Sequence, residues 1–336
     1  MADYDKFLSS SGDEPRKKPT LEATISSLKN LQGDMLPATI YYGLSDLEPG
    51  EIRTLADNWY TLAPDLRRRV IAQLAETSEI SFEFDYRQLG HLALSDTEPT
   101  VRAAAIDLLW TDDSLGLMYK LIERTEKDES RVVRAAAASA LGRFILLGEY
   151  LEIDEDDARK AQDAVIRLWN DSKQDFEVRR RALEAISNSS HDIVNPAIAE
   201  AYNSDEHLMR VSAIFAMGKA YDHQWSDTVL KEMGNSDAEI RYEATRAAGE
   251  LMLEQAIPML GRLAVEDERE IKEVAIWSLG EIGGNESMRI LTALAEAAEE
   301  SGDLELLDSI EEALDNAALA GELLELEDEY DEDDEE

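Results

Sequence analysis

Ser190-His191-Asp192 places in a row the types that nucleophilic catalysis uses: a hydroxyl, a base to take its proton and a carboxylate to hold the base. Adjacent side chains on a helix or turn point apart, however. With Asn188 and Ser189 the run reads as a capping segment at the head of a helix. The histidines, His91, His191, His207 and His223, are scattered, and no HxxxH, HExxH or His-Glu pair gives them metal-ligand spacing. Asp154-Glu155-Asp156-Asp157 is dense in carboxylate but lacks the glycine and spacing of a calcium loop, so it reads as favourable charge at a helix N-terminus. Gly280 with Gly283-Gly284 is not a GxGxxG, and no strand pattern precedes it. Cysteine is absent, which removes disulfides, thiolate metal sites and a Cys nucleophile. No catalytic residue, metal ligand or cofactor site is therefore predicted, and the chain is read as a non-enzyme.

Basic residues at regular intervals are a different matter. Arg67, Arg102, Arg134, Arg179, Arg210, Arg241 and Lys272 each follow an apolar residue, at spacings of 35, 32, 45, 31, 31 and 31. With each of them as position 0, position −1 is apolar in all seven, position +3 is alanine in all but the first (Val70), and position +7 is apolar from Leu74 and Leu109 to Leu279. Residues spaced by four share one stripe of a helix. The recurring alanine lets a neighbouring helix approach closely, and Gly142, Gly218, Gly249 and Gly280 at +8 are expected to end their helices as left-handed caps. A turn containing an aspartate (Asp96, Asp128, Asp175, Asp205, Asp237, Asp267) precedes each such helix from the second onward, and another apolar-periodic run precedes each turn. The unit is helix, acidic turn, helix, and stacked units share a core that one alone cannot bury.

The D…[VIM]R..A…[AL]G strings, over roughly residues 47–320, resemble HEAT repeats, specifically the short bacterial class found in phycobilisome-lyase-like proteins. The resemblance implies an all-α fold, a right-handed α-solenoid of about eight stacked helix pairs, whose second helices line a concave face. It also implies a structural ladder between turn aspartates and helix cations: Asp96 and Arg102, Asp128 and Arg134, Asp175 and Arg179, Asp205 and Arg210, Asp237 and Arg241, Asp267 and Lys272. Related deoxyhypusine hydroxylases hold iron with His-Glu dipeptides, which this sequence lacks.

Around the repeats, residues 1–20 read as a flexible arm, 21–46 as an N-terminal cap or strap, 47–320 as the solenoid and 321–336 as an acidic disordered tail. From Glu322 to Glu336, eleven of fifteen residues are acidic and none is basic. The long spacing between Arg134 and Arg179 implies about 14 extra residues near Leu147–Ile153, lengthening the flanking helices or bulging outward.

The chain has 336 residues, 44% of them apolar, and 74 acidic against 33 basic residues give a net charge of −41. That charge repels nucleic-acid backbones and anionic lipid, so direct nucleic-acid binding and membrane anchoring are not expected. With no apolar run of membrane-spanning length and no apolar leader at the N-terminus, a cytoplasmic, monomeric chain is expected. Position +5 should face the groove, where Phe215 and Trp277 stand out among small and polar residues and Arg246 is basic; Tyr242 at +1 and Trp110 at +8 border the same surface. These aromatics are either partner-binding anchors or packing against the next helix. Arg179-Arg180-Arg181 and Arg67-Arg68-Arg69 either receive an acidic segment, with Arg180 and Arg181 as groove candidates, or pair with neighbouring carboxylates, the plainer reading. The expected function is a scaffold or adaptor that binds a protein partner, one with a basic surface, along the groove. A saline habitat or selection for solubility explains the acidity equally well. The alternative function is an accessory or subunit of a chromophore-lyase-like enzyme.

Overall fold

Apolar residues that recur at helical spacing, punctuated by prolines and aspartates at the heads of helices, leave the chain only one way to bury them. The computed structural model describes residues 18–333, with side chains described for 18–319, and the described residues contain helices and turns but no strand. Most of the predicted arm and the side chains of the predicted acidic tail lie outside the described residues. No helix among the described residues is long and apolar enough to cross a membrane.

Two compact units divide the chain, Met1–Ser114 and Leu115–Glu336. The first contains α1 (Leu21–Lys29), α2 (Ala38–Leu44), α3 (Pro49–Trp59), α4 (Pro64–Ile80), α5 (Arg87–Ala93) and α6 (Pro99–Leu108). Proline opens α3, α4 and α6, where its missing N–H costs no intrahelical bond. The segment expected to be a cap or strap is itself a packed helix pair, α1 and α2. Its connecting loop is pinned to α4 by Gln73, whose Nε2 donates to the Asp34 carbonyl at 2.6 Å while its Oε1 accepts from the Leu36 amide at 3.0 Å.

The second unit is a run of helix pairs: α7 (Leu115–Lys127) with α8 (Arg131–Glu149), α9 (Glu155–Asn170) with α10 (Phe176–Ile186), α11 (Val194–Tyr202) with α12 (His207–Lys219), α13 (Ser226–Glu232) with α14 (Ala238–Glu250), α15 (Ile257–Glu266) with α16 (Arg269–Ile282) and α17 (Gly284–Ser301) with α18 (Leu304–Asp333). The second member of each pair stacks directly on the second member of the next, α8 on α10, α10 on α12 and onward to α18. The extra residues near Leu147 lengthen helices: α8 has 19 residues and α9 has 16. Asp154 caps α9 by accepting from the Asp156 amide, as the carboxylate run predicted.

The stripe behaves as its spacing requires. All seven +3 residues and all seven +7 residues are fully buried. Position +4, which the sequence reading passed over, is buried too, from Ile71 and Ile106 to Ile276. Each Leu, Ile or Val so placed contributes roughly 1.5–3 kcal/mol by leaving water.

The +8 glycines do a different job from the one predicted. None has a positive φ, and all four lie inside their helices. The left-handed residue comes three positions later, at Tyr221, Met252 and Gly283. What the glycines permit is contact between backbones. A Cβ added at Gly142 would lie 3.1 Å from the Ala185 Cα, at Gly218 2.9 Å from the Ala247 Cα, at Gly249 2.8 Å from the Ser278 Cα and at Gly280 3.0 Å from the Ala313 Cα. Close approach of one backbone to the next is thus made at +8 as well as favoured by the small buried residue at +3.

Position 0 arginines hold the turns rather than forming one uniform ladder. A Nη1 group donates to two carbonyls of the preceding turn in Arg102 (Asp96, Thr97), Arg134 (Asp128, Glu129), Arg210 (Ser204, Asp205) and Arg241 (Asn235, Ser236), at 2.8–3.1 Å. The turn aspartates Asp96, Asp128, Asp175, Asp237 and Asp267 each accept from a backbone amide one or two residues ahead. Rungs from position 0 to the next turn join Arg67 to Asp96 and Arg241 to Asp267, each through two hydrogen bonds of 2.8–3.0 Å. Elsewhere the donor moves one turn back to position −3: Arg131 to Asp175 at 2.8 Å, His207 to Asp237 at 2.9 Å and Arg269 to Asp303 at 2.5 Å.

Three expected ladder members therefore need correction. Asp205 is exposed and Ser204 takes its turn role, accepting from the Glu206 amide. Arg179 donates to the Trp169 carbonyl and to Glu200. Lys272 reaches Asp267 and Asp303 only through its field.

The rung most removed from water is Arg67–Asp96, with side-chain exposures of 4% and 0%. Trp59 Nε1 also donates to Asp96, at 2.9 Å. Burial pushes the Asp96 carboxyl up, but Arg67, the Glu98 amide and Trp59 together hold it below the ordinary range. Two stability measurements follow by urea denaturation. Asp96→Ala should cost about 3–5 kcal/mol, because it strands a buried guanidinium, whereas Asp205→Ala should cost under about 0.5 kcal/mol. The contribution of Asp96 is complete above the unfolded-chain value of about 3.9 and is lost as pH falls toward its lower folded value. Separately, Gly249→Ala should destabilise by about 1–3 kcal/mol through overpacking, despite alanine's better helix propensity. Gly50→Ala, on α3 with nothing within 4 Å, should leave stability unchanged or raise it by about 0.5 kcal/mol.

Candidate functional site: a groove across the second helices

Positions +1, +2 and +5 of stacked second helices form a face opposite the buried stripe, because residues four apart lie one turn above each other. Across α10, α12, α14 and α16 this face becomes a groove of about 830 Å³. Its apolar part is Val211, Ile271 and Val274, with Leu208 at the edge, and Tyr242 and Trp277 add aromatic surface. Five carboxylates line it, Glu239, Glu243, Glu268, Glu270 and Glu273, against two guanidinium groups, Arg180 and Arg246.

Both arginines are already engaged. Arg180 donates to Glu177 through Nε and Nη2 at 2.9 Å each, and through Nη1 to Ser212 Oγ at 3.0 Å and Glu184 at 3.2 Å. Ser212 Oγ in turn donates to Glu184 at 2.5 Å. Arg246 lies over the Phe215 ring at 4.4 Å, a cation–π contact, with its Nη2 3.2 Å from Glu250. Lys219 pairs with the same Glu250 at 2.8 Å. The Ser212 hydroxyl thus ties α12 to the arginine–glutamate cluster of α10, and the Lys219–Glu250 pair ties α12 to α14.

The carboxylates are less well matched. Glu273 has Arg269 at 2.5 Å, and Glu239 has only His207, at 3.6 Å. Glu268 and Glu270 are exposed and form no ion pair among the described residues. Glu243 is the most unusual: its Oε2 is buried without a hydrogen-bond partner, and the nearest cation, Arg246 Nε, stands 3.8 Å away. Burial pushes the Glu243 carboxyl up, Arg246 opposes this, and Glu184 and Glu250 add to it, leaving it above the ordinary range.

Four of the seven groove candidates, Arg180, Tyr242, Arg246 and Trp277, meet in this groove. Phe215 is half-buried and supports Arg246 from beneath, so it serves packing. Arg181 bridges Glu177 and Glu184 at 2.8–2.9 Å. Trp110 belongs to the first unit, where its Nε1 donates to Ser78 Oγ at 2.9 Å, and is no part of this groove. Among the clustered arginines, Arg67, Arg69, Arg179, Arg180 and Arg181 all pair with carboxylates, the plainer of the two readings. The lining carboxylates were missed by the sequence reading, although +1 and +2 share the helix face of +5 and could have located Glu273 and Glu243.

Elsewhere, Ser190-His191-Asp192 leads into α11 and is exposed. His191 Nδ1 accepts from the Ile193 amide, a capping contact. His91 pairs with Asp112 at 2.8 Å. Among the described residues no group of three or more ligand-type side chains is arranged to hold a metal.

Paired helices, their second members stacked and their turns held by aspartate and arginine, correspond to a known repeat. The family model for HEAT repeats matches residues 120–218 and 226–315, more than half of the chain. The chain belongs to the HEAT-repeat family. No curated protein sequence matches it. Solved structures to which the chain is similar include Escherichia coli YibA, at 16% identity over 91% of this chain and 99% of that one (TM-score 0.41). The complex of CpcE and CpcF of phycocyanin lyase from Nostoc sp. matches at 18% identity over 69% and 94% (TM-score 0.44). Yeast importin-beta matches at 12% identity over 88% and 46% (TM-score 0.45).

Within this HEAT-repeat chain the state of Glu243 is open to measurement. Because its folded value is raised, ionisation opposes folding increasingly as pH rises through that value. Glu243→Gln should therefore raise the urea midpoint at pH 8, with the gain vanishing near pH 4, below the ordinary glutamate value of about 4.3. An equal gain at both pH values would show that ionisation is not the cause.

Proposed function

We propose that this HEAT-repeat chain is a non-enzymatic interaction scaffold that holds a partner protein, basic at its contact surface, in the groove across α10, α12, α14 and α16. The observation that carries the proposal is the composition of the groove: aliphatic surface at Leu208 and Val211 and aromatic surface at Tyr242 and Trp277, bordered by five carboxylates against two arginines, with Glu268 and Glu270 forming no ion pair among the described residues. Aromatic residues in a recess are the usual anchors of protein interfaces, and an acidic border selects and accelerates a basic partner. Stacked repeats serve this role because they carry one continuous face while each repeat contacts only its neighbours.

The test is affinity capture from the source cells at low and at high salt, followed by titration of the purified partner. Binding should weaken steeply with salt, and Trp277→Ala with Tyr242→Ala should weaken it at least ten-fold without lowering Tm by more than about 3 °C, within the range of a ~1 kcal/mol change. Binding that persists at high salt, or that ignores both substitutions, would remove the groove from the interaction. Turnover of a substrate by the isolated chain would overturn the non-enzymatic reading.

A further inference from the structure

Glu243 poses a problem that the fold alone does not solve. The Oε2 atom is closed to solvent and has no hydrogen-bond donor, which costs free energy, while the side chain as a whole, 18% exposed, lines the groove. The neighbouring cations relieve it only in part, Arg246 Nε standing 3.8 Å away. Arg246 Nε and Nη2 are themselves buried without hydrogen bonds, the guanidinium being held over Phe215 and beside Glu250. Arg180 is committed to Glu177, Glu184 and Ser212. Glu268 and Glu270 leave further negative charge in the same groove without ion pairs among the described residues, and Tyr242 and Trp277 present aromatic surface there. Unmatched carboxylate beside aromatic rings is the chemistry that receives a cationic side chain, through charge and through the ring faces together.

We propose that the groove receives an arginine or lysine side chain of the partner, with the Glu243 carboxylate as its principal counter-ion and Tyr242 and Trp277 as its aromatic walls. This rests on the scaffold reading and narrows it from a basic surface to one anchoring cation at one residue. Glu268 and Glu270 then act as an outer attraction, and the accessible aliphatic residues of the groove, Leu208 and Val211, accept an aliphatic residue of the partner. Arg180 repels a cation from the α10 end of the groove, so the basic residue approaches Glu243 from the α16 side.

The experiment uses the full chain and a capped Leu-Arg-Leu-Arg peptide, with Leu-Lys-Leu-Lys and Leu-Glu-Leu-Glu as companions, titrated calorimetrically in about 0.1 M salt, where the screening length is ~10 Å. The arginine or the lysine peptide should bind and the glutamate peptide should not. Glu243→Gln should weaken binding about ten-fold, and its thermal unfolding confirms that the variant is folded. Glu299→Gln, which removes the same charge from an exposed site on α17 outside the groove, should leave affinity unchanged. The anchoring role is overturned if neither basic peptide binds at millimolar concentration, if Glu243→Gln binds like the parent, or if Glu299→Gln loses as much. In each of those cases the scaffold reading still stands or falls on the native partner and the Trp277 and Tyr242 variants.

Discussion

Backbone-to-backbone contact between successive second helices is the constraint from which the rest of this structure follows. Gly142, Gly218, Gly249 and Gly280 each face a small or backbone surface on the next second helix, where an added carbon would meet backbone at 2.8–3.1 Å. Helices that approach this closely bring their +3, +4 and +7 residues into a shared core, where small and large side chains interdigitate. The Ser278 hydroxyl uses the short distance to reach the Thr245 carbonyl on α14 at 2.9 Å while also bonding Val274 in its own helix. The same closeness on the opposite face sets neighbouring +1, +2 and +5 residues side by side, which is why Arg180 reaches Ser212 and Arg246 lies over Phe215 on the adjacent helices. The groove is a by-product of the stacking, and what varies along it is side-chain chemistry.

Polar requirements explain the second recurring feature. Every helix pair exposes turn carbonyls and amides that secondary structure cannot satisfy. The position 0 arginine and the turn aspartate meet these needs within their own repeat, and the inter-repeat rung uses whatever donor capacity remains. Where Arg241 has Nε and Nη2 free after serving two carbonyls with Nη1, it reaches Asp267. Where the −3 position offers a nitrogen in reach of the next turn, as at Arg131, His207 and Arg269, the rung moves there. The signature is shared because the turn is shared; the ladder is opportunistic.

This distinction also marks what could be read from the amino-acid order. The stripe at −1, +3 and +7 was legible because burial imposes a period, and the turn aspartates because an Asx turn needs that side chain at that place. The glycines were visible but their purpose was misassigned: a glycine near a helix end fits a left-handed cap and a close approach equally, and only the next helix decides between them. Helix caps at Tyr221 and Met252 carry no glycine signal at all. In the groove, aromatic residues stood out by rarity, whereas Glu243 was one glutamate among many. Its significance comes from burial and from the donor it lacks, properties of the neighbours rather than of the residue.

Net charge is a poor guide to what such a groove would bind. At physiological salt the screening length is about 8 Å, so an approaching cation responds to carboxylates within a few ångströms and hardly at all to those on distant helices. Much of the chain's acidity is neutralised locally, as Glu177 and Glu184 are by Arg180 and Arg181. What remains unneutralised within the groove is a small set, Glu243 under partial burial and Glu268 and Glu270 in the first turn of α16 or just ahead of it. Charge that is unmatched and partly shielded from water acts more strongly on a ligand than charge that is merely abundant, because the surrounding dielectric is lower there. A saline habitat would scatter carboxylates over every exposed face, but it gives no reason for leaving one buried oxygen without a donor in a side chain that lines a groove with Tyr242 and Trp277.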